Sequence, residues 1–259
     1  GSDSHLPAYS QVVEELVSAT TNLPPATSSP APSTATPEEA RDLFACLQNF
    51  IVGRYHKGDG SLLNELRDLY QMMISSGLLE QGGKYSTMAL KNSVQLFCQS
   101  GRLDWARSTV ELYRERITND PLELVYSFNS AMISFYAGEY QNVLQLLYNR
   151  VGKYKITALD IAARLFLCRA MWFVEEYEWL LSSLKNFSKY LQRNPRVTAT
   201  DRQLYLPYAR HMHRMVLAVS GSPKHRRSRL LKCQEEMTAA GHQPTYGWLY
   251  GQVTGLLEA

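Results

Sequence analysis

The chain has 259 residues, 45% of them hydrophobic and 20% charged, which is enough for one large or two small domains with a sizeable buried core. A formal net charge of +3 is too small to point by itself to a polyanionic partner, and no run of about eighteen apolar residues is present to span a bilayer. Cys46, Cys98, Cys168 and Cys233 are far apart, lie in apolar helical stretches and form no CxxC pair, which favours buried free thiols in a reducing, cytoplasmic setting over a disulfide framework.

Residues 1–5 read as a tag remnant. Residues 9–20, with Val12, Val13, Leu16 and Val17 at helical spacing, predict a short N-terminal helix, so that 1–20 form a first part of the chain. Residues 21–36 are a linker. The stretch 21–37 holds five of the chain's eleven prolines and no charge, a composition that cannot bury apolar surface. Three readings of the tethered helix stand side by side: it docks on its own repeats, pairs with another molecule, or trails an upstream domain. Residues 37–259 are expected to form one helical-repeat domain with a C-terminal cap.

That domain opens on Thr36 as cap, Pro37 at the first helical position and Glu38 and Glu39 facing the positive end of the helix dipole. The helix is expected to reach about residue 56, with Leu43, Phe44, Leu47, Phe50 and Ile51 on its apolar side. A turn at 58–61 leads into a second helix over 62–75, and 77–83 ends it.

From here the sequence repeats. Gly101-Arg-Leu103, Gly138-Glu-Tyr140 and Glu175-Glu-Tyr177 follow one another at intervals of 37, and each opens a helix with an apolar stripe: Ala106, Val110 and Tyr113; Val143 and Leu147; Leu180, Leu184 and Phe187. The first helices of the pairs are predicted over 88–100, 122–137 and 156–174, without internal Gly or Pro. Pro121 and Pro195 mark the starts of following elements. Leu66 stands one period before Leu103, so 62–75 is the second helix of a degenerate earlier repeat.

These residues resemble the tetratricopeptide repeat, whose helix pair has a small residue in the first helix, a Gly-x-Tyr-x-x-Ala turn into the second and a terminal proline. Gly101, Leu103, Ala106 and Pro121 fit one copy; Ala131, Gly138 and Tyr140 a second; Cys168, Tyr177 and Pro195 a third. The period is longer than the family's ~34 residues, Val143 and Leu180 replace the alanine, and Glu175 replaces the third turn glycine. The pattern is also similar to that of uncharacterised bacterial proteins with degenerate repeats. The resemblance implies an all-α, right-handed α-solenoid of antiparallel helix pairs.

After Pro195 the register is lost. A long helix over 198–220, interrupted by Pro207, a break at 220–223, a helix to about residue 240 and a short last helix are expected to cap the solenoid. Gly247, Gly251 and Gly255 recur every fourth residue in that last helix, a spacing that lets helices approach closely, either within the chain or across a dimer seam.

Little in the sequence points to catalysis. His211 and His213 stand two apart and face different sides of a helix, the acidic pairs are adjacent rather than convergent, and no HExxH, GxSxG or GxxxxGK[ST] motif occurs. No cofactor or metal site is expected. Residues 224–232 carry five Lys or Arg in nine positions, an alternative route to nucleic acid or an anionic surface, while Leu230, Leu231 and Cys233 give the same segment an apolar side. Carried over from the family position by position, the inward-facing residues are Lys91 and Gln95, Phe128 and Met132, and Leu165, Arg169 and Trp172. The resemblance implies that Lys91, Gln95, Phe128, Met132, Arg169 and Trp172 bind a protein or peptide on the concave face, the chain acting as a non-catalytic scaffold.

Overall fold

The computed structural model describes residues 36–55, 62–117, 121–239 and 246–258. The tag remnant, the N-terminal helix, the linker up to residue 35 and the turn at 58–61 lie outside them. The fold is all-α, and it divides into two compact units between residues 122 and 123.

The first unit contains α1 (Pro37–Tyr55), α2 (Leu63–Ser75), a hairpin of β1 (Glu80–Gln81) and β2 (Lys84–Tyr85), α3 (Thr87–Gln99) and α4 (Leu103–Leu112). α1 starts as expected. The Thr36 hydroxyl accepts from the Glu39 N–H at 3.2 Å, and the Glu39 carboxylate accepts from the Thr36 N–H at 2.7 Å, a reciprocal cap that satisfies two donors. Its buried line is Ala40, Phe44 and Ile51, whereas Leu43 and Phe50 stay 40% and 53% exposed. The expected single apolar side therefore splits, because residues 43 and 50 lie about 100° around the helix from 44 and 51 and only the latter pair meets the core.

The hairpin has no counterpart among the expected elements. Gly82 and Gly83, at φ 59° and 72°, supply the two left-handed residues that a tight two-residue turn requires. Beyond it Tyr85 donates its N–H to the Arg116 carbonyl at 2.8 Å, stacks on Tyr113 with centroids 3.9 Å apart and shares a hydrogen bond with Ser93 at 3.0 Å. Two strand residues thus place a fully buried tyrosine against the α3–α4 pair.

The second unit runs through α5 (Leu122–Tyr136), α6 (Tyr140–Leu147), α7 (Thr157–Phe173), α8 (Tyr177–Arg193), α9 (Ala199–Ser220), a short 3-10 turn (Pro223–His225), α10 (Arg226–Ala239) and α11 (Gly247–Glu258). Every residue of the three second-helix stripes named from sequence is buried. At about 1.5–3 kcal/mol for each large apolar side chain withdrawn from water, these stripes supply much of the drive for pairing. α9 runs on through Pro207, with Thr198 and Asp201 closing a capping box at its start.

One turn is used four times among the described residues. α2, α3, α5 and α7 each end with the same pair of hydrogen bonds. The N–H of Gly77, Gly101, Gly138 or Glu175 reaches back three residues, and the next N–H reaches back five, to Met73, Phe97, Ser134 and Met171 at 3.1, 2.8, 2.8 and 3.0 Å. The geometry demands a left-handed residue, which Gly77, Gly101 and Gly138 provide at φ 67°, 75° and 79°. Glu175 adopts the same conformation at φ 61° despite its Cβ, and no other non-glycine residue among the described ones does so.

This identity makes the turns a matched set of tests. A Cβ built on Gly138 meets no atom within 4 Å, so Gly138→Ala should cost only the backbone term, about 1 kcal/mol, while Glu175→Gly should raise stability by a similar amount. Urea unfolding of both variants checks this. A destabilised Glu175→Gly would mean that the glutamate side chain holds the turn.

Candidate binding site

The positions expected to meet a ligand have different fates. Lys91 and Gln95, on α3, are half-buried. The Lys91 ammonium donates to the Asn92 side chain at 3.3 Å, and burial pulls its pKa below the usual lysine value. Phe128 and Met132, on α5, are fully enclosed. Phe128 packs edge-on against Tyr154 and Phe166, with centroids 6.1 and 6.2 Å away, so these two inward-facing residues belong to the core and present no surface to a ligand. Leu165 is likewise buried. An inward position in a repeat can point between helices as well as into a groove, and only packing decides which.

Arg169 and Trp172, on α7, are engaged by the chain itself. The Trp172 indole N–H donates to the Gln252 side-chain carbonyl on α11 at 3.0 Å. The Arg169 guanidinium lies 5.0 Å from the Trp248 ring centroid, also on α11, and donates to the Tyr208 hydroxyl at 3.0 Å. Trp248 in turn meets Phe173 edge-on at 5.9 Å. The last helix therefore reaches Arg169, Trp172 and Phe173 of α7 through Trp248 and Gln252.

Leu249 and Val253 of α11 are fully buried, and the helix packs chiefly along α10. Gly247, Gly251 and Gly255 are exposed, and a Cβ at any of them meets nothing within 4 Å. Close approach across the glycines is thus not how this helix packs, which corrects the reading of their spacing as an intramolecular seam.

The basic run is partly structural too. Arg227 donates to the Leu257 carbonyl at 3.1 Å, in the last turn of α11, and Arg229 to the Leu217 carbonyl at 3.3 Å, in the last turn of α9. Each guanidinium meets unpaired carbonyls at the negative end of a helix dipole. Two of the five cations assigned to an anionic surface thereby serve as caps, while Lys224 and Lys232 remain exposed.

Among the described residues a thiol, an imidazole and a carboxylate come together at Cys233, His211 and Glu236. The Cys233 sulfur lies 3.9 Å from His211 Nδ1, and a Glu236 oxygen lies 3.7 Å from the same nitrogen. Burial pushes the Cys233 thiol up to about 11, so it carries no thiolate at neutral pH, and its 1% exposure admits no substrate. Cys98 and Cys168 are also buried, with thiols pushed up to about 12 by burial, whereas Cys46 is exposed and departs from the expected buried state. Among the described residues no group of three or more His, Cys, Asp or Glu side chains is placed to hold a metal ion, and no helix is long and apolar enough to cross a membrane.

A second surface escaped the motif reading. Between α8 and α9 a cleft of about 370 Å³ is lined by Lys185, Lys189, Arg210, His213 and Arg214, with Leu184 and Ala209 at its floor. Its signal in the sequence is regional rather than local: residues 179–234 hold twelve Lys or Arg and a single acid, Asp201. A pattern of dense basic runs picks out 224–232 and passes over cations spaced four apart on two helices.

His211 gives a pH test of the α9–α10 packing. Burial, then Arg214 and Arg210, lower its pKa below 6.5, against the opposing pull of Glu236. The folded protein therefore binds its proton less readily than the unfolded chain, and the associated stability, full above pH 6.5, is lost as pH falls through that value toward the folded pKa. Thermal melting between pH 7.5 and 5 should show a decline that is shallower in His211→Gln. Equal slopes for the two proteins would mean that the imidazole does not titrate differently on folding.

No protein-family model matches the chain, and no curated protein does. A solved structure, the N-terminal domain of the EccA1 ATPase from the ESX-1 secretion system of Mycobacterium tuberculosis, aligns over 97% of this chain and 90% of that one, at 15% identity and a TM-score of 0.43.

Proposed function

We propose that the protein is a non-catalytic scaffold that binds a polypeptide segment on the α7 face. The observation behind this reading is the seating of α11. A helix reaches that face already, through an indole hydrogen bond, a cation–π contact and the edge-on packing of Trp248 against Phe173. Those are the elements of helix-in-groove recognition: apolar anchors for affinity and a few polar contacts for register. A partner helix presenting an aromatic group toward Arg169 and an amide toward Trp172 would use the same contacts.

Of the residues carried over from the repeat family, Arg169 and Trp172 fit this role, Lys91 and Gln95 keep part of their surface on the first unit, and Phe128 and Met132 act only as support from the core. Nucleic-acid binding through residues 224–232 is the weaker reading, since Arg227 and Arg229 are committed to helix ends.

The test uses the full chain and a fluorescein-labelled peptide spanning residues 246–258. Trp248→Ala/Gln252→Ala, which loosens the resident helix, should bind the peptide, the wild type should bind it far less, and Arg169→Glu added to the loosened variant should abolish binding. If the loosened variant, shown by circular dichroism to keep its helices, takes up no peptide, the α7 face is a structural seam and this reading fails.

A further inference from the structure

The cleft between α8 and α9 shares no lining residue with the α7 face, so its chemistry stands independently of any ligand bound there. The whole chain carries 27 Lys or Arg against 24 Asp or Glu. With twelve of those cations and one acid inside 179–234, the rest of the chain holds 15 against 23, a net charge of −8. Positive charge is therefore gathered in one region of a nearly neutral chain, and segregation on that scale sets up a local field that the total conceals.

Several of the twelve are used internally. Arg202 donates to the Leu191 and Asn194 carbonyls at the end of α8, Arg196 to the Lys155 carbonyl, and Arg214 pairs with Glu236. Lys185, Lys189 and Arg210 are exposed and have no carboxylate or carbonyl partner among the described residues. Lys185 and Lys189 are one helical turn apart on one wall, and Arg210 and Arg214 are one turn apart on the other. The two rows face a common space with an apolar base of Leu184, Leu206 and Ala209.

We propose that this cleft binds an acidic polypeptide segment, its carboxylates paired with Lys185 and Lys189 of α8 and Arg210 of α9 and one apolar side chain seated on the leucine and alanine floor. A volume of about 370 Å³ lies at the lower end of the ~300–1,000 Å³ found for ligand sites, room for a side chain rather than a domain. Opposed rows suit a ligand with several separated negative charges better than a single small anion. Single-stranded nucleic acid would look for aromatic platforms on which bases stack, and no Phe, Tyr or Trp lines this cleft. An acidic peptide with an aliphatic anchor satisfies both the charge and the floor.

The full-length protein is tested with a displayed library of random twelve-residue peptides, retaining binders to the wild type and discarding binders to Lys189→Glu/Arg210→Glu. Both substituted side chains are exposed, and circular dichroism checks that helicity is kept; Lys185→Gln/Lys189→Gln serves in its place if it is not. The expected pool is rich in Asp and Glu around a Leu, Ile or Phe. Its members should lose about tenfold or more in affinity for the charge-altered protein, weaken as salt rises, and bind Trp248→Ala/Gln252→Ala as they bind the wild type. An empty pool, a pool without acidic excess, affinities indifferent to the charge changes, or a twenty-residue oligothymidine bound more tightly than any peptide and lost in the same variant would each overturn the proposal.

Discussion

The left-handed residue that closes α3, α5 and α7 is the constraint on which the helix pairs depend. A helix that stops leaves its last carbonyls unpaired, and here the chain meets two of them with the N–H groups of the residues that reverse its direction. Because the reversal takes only three residues, the second helix of each pair starts at a fixed distance and rotation from the first. The apolar stripes of α4 and α8 then fall on α3 and α7, while that of α6 is turned chiefly to α7. Arg102, Glu139 and Glu176, which follow the left-handed residue, have ψ of 63°, 60° and 61°, so the exit from the turn is as uniform as the entry.

That uniformity explains why the pairs were legible in the sequence. The repeat interval and the stripes located α3 to α8 to within a residue or two at most boundaries, because turn chemistry and helical periodicity are both local signals. Glu175 is instructive. It breaks the glycine pattern but not the structure, since Trp172, Met171 and the packing of α7 against α8 hold the backbone where a side chain is merely unfavourable rather than forbidden. The β1–β2 hairpin was illegible for the opposite reason. Two-residue strands have no periodicity to detect, and the Gly82-Gly83 pair reads equally well as the end of a helix.

The site was less legible than the fold. Phe128 and Met132 hold inward positions in the repeat, yet whether an inward position faces a ligand or a neighbouring helix depends on side-chain packing that no single-sequence pattern records. The reach of α11 back to Arg169 and Trp172 is a long-range contact across about eighty residues, invisible to any local rule. Charge misled in a similar way: the densest basic run contributes helix caps through Arg227 and Arg229, whereas the cations of the α8–α9 cleft are spread thinly along two helices and meet only in three dimensions.

The docking of α11 also has a consequence for how tightly anything else must bind. Only residues 240–246 separate it from α10, and a ligand tethered by so short a connection acts at an effective concentration in the millimolar range. An untethered competitor for the α7 face, present at about 1 µM, would need an intrinsic affinity roughly a thousand times that of α11 to displace it half the time. The resident helix thus sets a threshold: weak or incidental helices are kept off the face by mass action alone, and a partner that succeeds must either bind far better or arrive with a tether of its own.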